Sequence, residues 1–367
     1  MKTMKKVVLA GLVLLASVVV LVGCKNDSVP EIHVSCDCHG TSSSPEVMTP
    51  QSYRFPAGVK SLPNYVSPNH TDNSWTYVEF GWWPQTRVKV KEGTLEKVPA
   101  GRGMFNKDNY YTDNAGHYFV KLDTSYYLVE PIRWRILNKD FAKTGRALLL
   151  AENILDAVQY HENKDSRRIP GGGTTKAEPD TVYANNYKYS SIRGWLNGKY
   201  ESGYALDETF KDIGFLQTAF TKEEQNLIVE TLVDNSEEST NPATNSSTYN
   251  GGLNQNACVD TTDKIFLLSL QEASTLGYGF ADYNVSLNEA KGITTSTRTR
   301  KYTSYARAMG ASSSSDKGFC PWWLRSPYYF YEYDMFSVSN KGYAGSSTQL
   351  VDKTDVGVVP ALYIKLQ

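Results

Sequence analysis

The chain has 367 residues, with 38 Lys and Arg against 39 Asp and Glu, and five His. That balance excludes a nucleic-acid binder driven by bulk positive charge, because phosphate attraction needs a basic field. A composition of 40% apolar and 12% aromatic residues excludes a highly charged disordered chain. Tyr leads the aromatics at 25, with 13 Phe and 7 Trp, types that serve recognition surfaces as readily as cores.

In chain order, the first feature is an address. Lys2, Lys5 and Lys6 precede an uncharged apolar run over residues 7–22, the basic and hydrophobic regions of a secretory signal. The run is short for a membrane span, which needs about 18 to 20 apolar residues. Leu21-Val22-Gly23-Cys24 resembles the lipobox of bacterial lipoproteins. That resemblance implies cleavage before Cys24 and lipid on its thiol, so residues 1–23 are expected to be a signal peptide. The signal takes three Lys and no acid with it, leaving a slightly acidic chain that the lipid, and not charge, would anchor. Lys25, with no Asp there, is similar to the pattern of lipoproteins exported to the outer membrane.

Residues 24–74 are rich in Ser, Thr, Pro and Asn without a sustained apolar period, and predict a disordered tether. Cys36-Asp-Cys-His39 with His33 has the donors of a zinc shell but not the C-x2-C spacing, so these are read as linker thiols and no metal is expected. An exported compartment permits disulfides, and Cys258 with Cys320 is the candidate pair in the folded part.

Residues 75–367 predict one domain. Strands are expected at residues 76–80, at 126–137 with Pro131 marking an edge or bulge, at 147–151 and at 264–269. Helices are expected at 190–200, with Ile192, Trp195 and Leu196 on one side, at 208–220, and at 302–309. Thr221 with Glu224 and Ser269 with Glu272 are capping boxes. Strands over 322–326, 335–339 and 356–366 close the chain. Short strands, a few helices and long polar loops make an α+β domain, not a βαβ series.

Chemistry is sparsely signalled. Only His117 and His161 fall in the domain, neither serves a G-x-S-x-G elbow, and both are read as surface or satisfied core histidines. Gly171-Gly-Gly-Thr-Thr-Lys176 has the wrong order for a phosphate loop and is read as a flexible loop; no cofactor is expected. Trp323 and Leu324 are expected in the core, and Arg325 as a buried charge tying loops with its fork of donors. Tyr328, Tyr329, Tyr331 and Tyr333 follow, with Phe330 between them, then Asp334, Ser337 and Asn340. Read as a strand, residues 328–333 put Tyr329, Tyr331 and Tyr333 on one face toward solvent and Phe330 inward. Rings interleaved with short polar groups make these the ligand-binding candidates.

Phe80-Gly81, residues 131–137 (PIRWRIL), Leu148-Leu-Leu150, residues 191–197 (SIRGWLN), residues 264–269 (KIFLLS), residues 322–327 (WWLRSP) and residues 357–362 (GVVPAL) come in the order of a known bacterial family. The chain is similar to the family of domain of unknown function 6273. The resemblance implies a C-type-lectin-like fold, related in shape to formylglycine-generating enzymes, with a small twisted sheet, flanking helices and long loops. It implies no known activity. Glu178-Pro-Asp180 lacks the Trp-Asn-Asp partner of calcium-dependent lectins, and Cys320 lacks the close partner of formylglycine-generating enzymes. The expectation is a lipid-anchored envelope protein, on the outer membrane or cell surface, that binds a glycan or protein through its C-terminal aromatic loops without catalysis. The alternatives are a carbohydrate-active or cell-wall hydrolase using a carboxylate pair, and a structural envelope protein.

Overall fold

Aromatic and branched residues suit a pleated, half-buried surface, and the longest such runs form the longest strands. The computed structural model describes residues 54–67, 69, 75–91, 93–99, 109–168, 172–173, 179–198, 210–211, 213–240, 256–282, 295–312, 317–345 and 347–367. The chain passes through β1 (Lys60–Ser61), β2 (Tyr77–Val88), β3 (Glu96–Lys97), β4 (Tyr110–Thr112), β5 (Tyr118–Leu122), β6 (Ser125–Ile136), a one-turn helix α1 (Phe141–Thr144) and β7 (Arg146–Ala151). Then come β8 (Asp156–Ala157), β9 (Arg167–Arg168), β10 (Thr181–Val182), α2 (Ser191–Asn197), α3 (Phe215–Ala219), α4 (Lys222–Leu227), β11 (Thr231–Val233), α5 (Glu237–Thr240), β12 (Thr261–Asp263) and β13 (Ile265–Phe266). After α6 (Ser304–Ala308), β14 (Trp322–Pro327), β15 (Asp334–Val338), β16 (Thr348–Leu350), β17 (Gly357–Val358) and β18 (Ala361–Lys365) end the chain.

Among the described residues the architecture is α+β: sheet-rich, with few helices and mostly antiparallel open sheets. The larger sheet has the order β13-β18-β7-β6-β5-β4-β3, with β2 on β6 and β1 on β2. The second has the order β16-β15-β14-β17-β8, and only its β14–β17 pair is parallel. The apolar run of β7 becomes a strand buried from Ala147 to Ala151, between β6 and β18. α3 and α6 pack on β2, where Trp83 meets Phe215 and Phe80 meets Phe220 at ring distances of 4.9 and 5.0 Å.

Pro131 lies inside β6 at a bulge and not at an edge. One side of β6 is covered by β2, and the other by β5 over Ser125–Leu128 and by β7 over Trp134–Ile136. Pro131 falls in the gap, where no ladder bond needs its missing N–H. Opposite it the β2 register shifts between Glu79 and Trp82. Gly81 sits there at φ +69°, and a side chain would run into the Phe220 ring and the Ala219 carbonyl, so only glycine fits.

Both capping boxes form. Glu224 N donates to Thr221 Oγ1 (3.2 Å) and Thr221 N to Glu224 Oε2 (2.8 Å) at the start of α4. Ser269 N donates to Glu272 Oε2 (2.7 Å) and Glu272 N to Ser269 Oγ (3.1 Å), opening a short 3-10 turn. Three expectations need correction. The helix expected over 208–220 is α-helical among the described residues only at Phe215–Ala219. Gly214 packs directly on the Trp195 carbonyl and the Gly198 amide, and Ile213 is left exposed. The strand expected over 264–269 keeps two residues, β13, because Ser269 turns to cap the next element. The folded unit also begins before residue 75. β1 pairs with β2, and Phe55, Leu62 and Tyr65 pack on the core. Ser67 Oγ and Asn69 Nδ2 (2.8 Å) donate to the buried Glu152 carboxylate, which pairs with Arg135 at 2.9 Å. Residues 1–53, with Cys24, His33, Cys36, Cys38 and His39, lie outside the described residues.

Candidate binding surface

β14 carries Trp322-Trp-Leu-Arg-Ser-Pro327, and all six residues are buried. The side-chain polar atoms of this run are hydrogen-bonded, as buried groups tend to be, except Arg325 Nε. Trp322 Nε1 donates to the Arg298 carbonyl (3.1 Å) and Trp323 Nε1 to the Val158 carbonyl (2.9 Å). Arg325 Nη1 donates to Leu267 O (2.8 Å) and to the Glu272 carboxylate, while Nη2 donates to Asp234 O (2.9 Å). Burial opposes the Arg325 charge, but Glu272 more than compensates and keeps the guanidinium protonated. Ser326 Oγ accepts from Leu270 N (2.8 Å). The expectation for Arg325 thus holds: its planar fork ties three segments of chain. The whole run is a brace, and what it braces is the loop that follows.

That loop, residues 328–333, is a turn between β14 and β15 and not a strand, so the expected alternation does not apply. Phe330, expected inward, is the most exposed ring at 58%, with Tyr331 at 51% and Tyr333 at 38%. Tyr328 and Tyr329 are half-buried. Tyr328 is the hub: its ring stands edge-on to buried Phe336 (5.3 Å, 90°) and touches Tyr329 (4.8 Å), Phe330 (5.7 Å) and Tyr331 (6.0 Å). Tyr331 and Tyr333 stack at 5.6 Å.

The backbone under these rings is pinned. Asn185, wholly buried, donates from Nδ2 to the carbonyls of Tyr328 (3.3 Å), Tyr331 (3.0 Å) and Asp334 (3.1 Å), and from its amide to Glu332 O (2.9 Å). Asn256 Nδ2 adds a bond to Tyr328 O (2.8 Å). Within the loop, Tyr328 N donates to Asp334 O (2.9 Å), and Val351 N to Tyr333 O (3.0 Å). Asp334 lies half-buried at the base of the loop. Burial raises its carboxyl, which Lys164 partly opposes. Neither Asn185 nor Asn256 was signalled by the sequence; each acts on residues 72 or more positions away.

Two candidates stand elsewhere. Ser337 is fully buried, with Oγ 2.8 Å from Ser347 Oγ, and does not reach the surface. Asn340 lies in the turn beyond the far end of β15, which separates it from the tyrosines by roughly 13 Å of strand. Exposed Tyr343 shares that far turn. Cys258 and Cys320 are both buried and unpaired, which corrects the expected disulfide. Cys258 lies beside Tyr187 and Lys188, whereas Cys320 Sγ donates to the Pro321 (3.1 Å) and Asp355 (3.3 Å) carbonyls in another part of the core.

The two histidines of the domain lie in different settings. His117 is exposed and bonded to Asp113 (2.9 Å). His161 is buried, with Nδ1 3.0 Å from Ser191 Oγ. Burial, then the nearby Arg167, pulls its pKa to about 3, so it stays neutral. A general base must become imidazolium, the state this environment disfavours.

No curated protein and no solved structure matches the chain. A family described as a domain of unknown function (DUF6273) matches residues 144–366, more than half of the chain. Phe80-Gly81 and residues 131–137 precede the matched segment, yet β2 and β6 complete the sheet to which its β7 and β18 belong. On the strength of that match, the chain belongs to the DUF6273 family.

Proposed function

We propose that the chain is a lipid-anchored protein of the bacterial cell envelope that binds a glycan or protein ligand through residues 328–333, without catalysis. The observation that carries the reading is the exposure of Phe330, Tyr331 and Tyr333 on a backbone held by Asn185 and Asn256. Rings left in water cost free energy unless something covers them. A loop already ordered pays less entropy on binding. Tyr and Phe supply large rigid contact area for protein surfaces and flat platforms for sugars. Glu332 and half-buried Asp334 border the rings and offer acceptors for ligand hydroxyls or amines.

The C-type-lectin-like fold and its likeness in shape to formylglycine-generating enzymes are part of this proposal. Support comes from the family membership and from short helices beside mixed sheets with long loops. Anchoring rests on Lys2, Lys5 and Lys6, the apolar run 7–22 and Gly23-Cys24. In this reading the domain sits at the outer membrane or cell surface. Cys24→Ser should move the protein out of the membrane fraction; a variant that still pellets after a carbonate wash overturns the anchor. Glycan and protein arrays probed with the domain test the binding function, and an array with no signal above an unrelated control protein overturns it.

A further inference from the structure

A ligand that covers the exposed rings of the aromatic loop also covers a charge. Glu332 stands between Tyr331 and Tyr333 in the chain and is exposed as they are. Its backbone is fixed, because the Asn185 amide donates to Glu332 O (2.9 Å). Its carboxylate has neither an ion pair nor a hydrogen-bond donor among the described residues. Asp334, at the base of the loop, also lacks an ion pair there, and its Oδ1 accepts no hydrogen bond. Residues 328–334 contain no Lys or Arg. Lys164, the cation that acts on Asp334, is bound to Asp352 at 3.2 Å. Exposed Lys353 follows Asp352 on that turn. Three carboxylates therefore stand against two lysines, one of them already paired. The adjoining segments leave the sign unchanged. Residues 161–168 reach Val351 through the His161 amide (3.0 Å), and there Glu162 and Asp165 balance Arg167 and Arg168. Residues 169–171, 174–178, 241–255 and 346, outside the described set, add one Lys and one Glu.

We propose that the partner of this loop is a polypeptide that presents an arginine, with apolar residues beside it, to Glu332 and the rings of Phe330, Tyr331 and Tyr333. The proposal rests on the binding role given to the loop above and names its ligand class. Desolvation selects the cation. Covering the three rings takes Glu332 out of water, and a carboxylate buried without a partner is strongly penalised. The ligand must then bring the positive charge that the loop and its neighbours do not supply. Arginine suits the place better than lysine. Its guanidinium is weakly hydrated, forks onto a carboxylate and stacks on aromatic rings. Arg and Tyr are also the types that concentrate binding energy at protein interfaces. A sugar meets two obstacles. Tyr331 and Tyr333 stack on each other (5.6 Å, 14°) and Phe330 packs on Tyr329 (4.2 Å), so each ring already spends surface on a neighbour that a sugar platform needs open. A neutral sugar brings no charge to offset Glu332, and an acidic one is repelled by it.

The test probes a random-peptide array and a glycan array with the full chain in detergent. Peptides bound by wild type should be enriched in arginine at least about 3-fold over the library, the size expected of one ion pair with ring contact. Raising NaCl from about 50 to about 500 mM should weaken them. Glu332→Gln should lose about 3-fold or more on the arginine peptides, and Glu332→Lys should shift the bound set toward Asp and Glu. The side chain is exposed and unpaired, so both variants should melt with wild type. Bound peptides without arginine enrichment, or the same set bound by wild type and Glu332→Lys, overturn the proposal. Glycan signals without peptide signals also overturn it, while leaving the binding role of the loop in place. Silence on both arrays overturns the proposal together with that role. Should the lysine variant fail to fold, the composition of the wild-type set still decides the matter.

Discussion

Asn185→Ala removes the side chain that holds the aromatic loop, and its cost can be worked from the geometry. Nδ2 carries two hydrogens, so its three contacts with Tyr328, Tyr331 and Asp334 amount to at most two bonds at once. At about 0.5 to 1.5 kcal/mol net for each bond, the gross loss is about 1 to 3 kcal/mol. Two features hold the figure down. Each carbonyl keeps another donor: Asn256 Nδ2 on Tyr328 O (2.8 Å), Asp334 N on Tyr331 O (3.3 Å) and Tyr328 N on Asp334 O (2.9 Å). Asn185 Oδ1, buried without a partner, is removed as well, which relieves an existing penalty. The expected destabilisation is therefore about 1 to 2 kcal/mol, read by urea denaturation. Hydrogen exchange should place the effect. The Tyr328 and Asp334 amides should exchange faster, while the β7 amides stay protected. A change below about 0.3 kcal/mol with unaltered exchange would refute the claim that Asn185 holds the loop, and a loss above about 4 kcal/mol would make it a core residue.

Other predictions follow from buried groups. Trp323→Ala should cost about 3 to 5 kcal/mol, since the ring is wholly buried, packs on Tyr160 at 5.6 Å and spends its N–H on Val158; an unchanged melting temperature would contradict the brace. Glu152→Gln should cost about 3 to 5 kcal/mol at neutral pH by leaving Arg135 and Arg300 without their carboxylate. Burial alone would raise the Glu152 pKa, but Arg135, Arg300, Ser67 and Asn69 outweigh it and hold the pKa low. The stability this group adds is therefore complete above its unfolded pKa, near 4.3, and is lost as pH falls through the folded value. The gap between wild type and variant in denaturation should narrow in acid; a gap constant with pH would be inconsistent with this. Cys258 and Cys320 should resist alkylation at pH 8 in the native protein and react once it unfolds, because burial raises both thiols, Cys320 to about 12. Peptide mapping reads this, and rapid native labelling would contradict the burial.

What was legible in the sequence was local. The uninterrupted run at Ala147 to Ala151 announces a strand covered on both sides, and the two capping boxes are complete within four residues each. The type of Arg325, in a run of Trp and Leu, signals a buried charge that must be paired. What was not legible depends on distant partners. Residues 54–69 look like linker because their apolar residues are sparse, but Ser67 and Asn69 find Glu152 more than 80 positions away. Residues 328–333 contain good strand formers, yet they turn because Asn185 and Asn256 offer their carbonyls side-chain donors instead of a ladder. Gly214 looks tolerable inside a helix until its contact with Trp195 and Gly198 is known. The cysteine pair was inferred from compartment and number, neither of which places two sulfurs together.

The central claim is that the exposed rings of the 328–333 loop bind a ligand. The measurement that tests it most directly prints one glycan and protein array and probes it with the wild-type domain and with the Phe330→Ser, Tyr331→Ser, Tyr333→Ser triple variant, after their melting curves are compared. All three rings face solvent, so the variant should melt within a few degrees of wild type. The predicted result is a set of wild-type signals that disappears in the folded variant. The same signals from both proteins would contradict the account and move binding away from these rings.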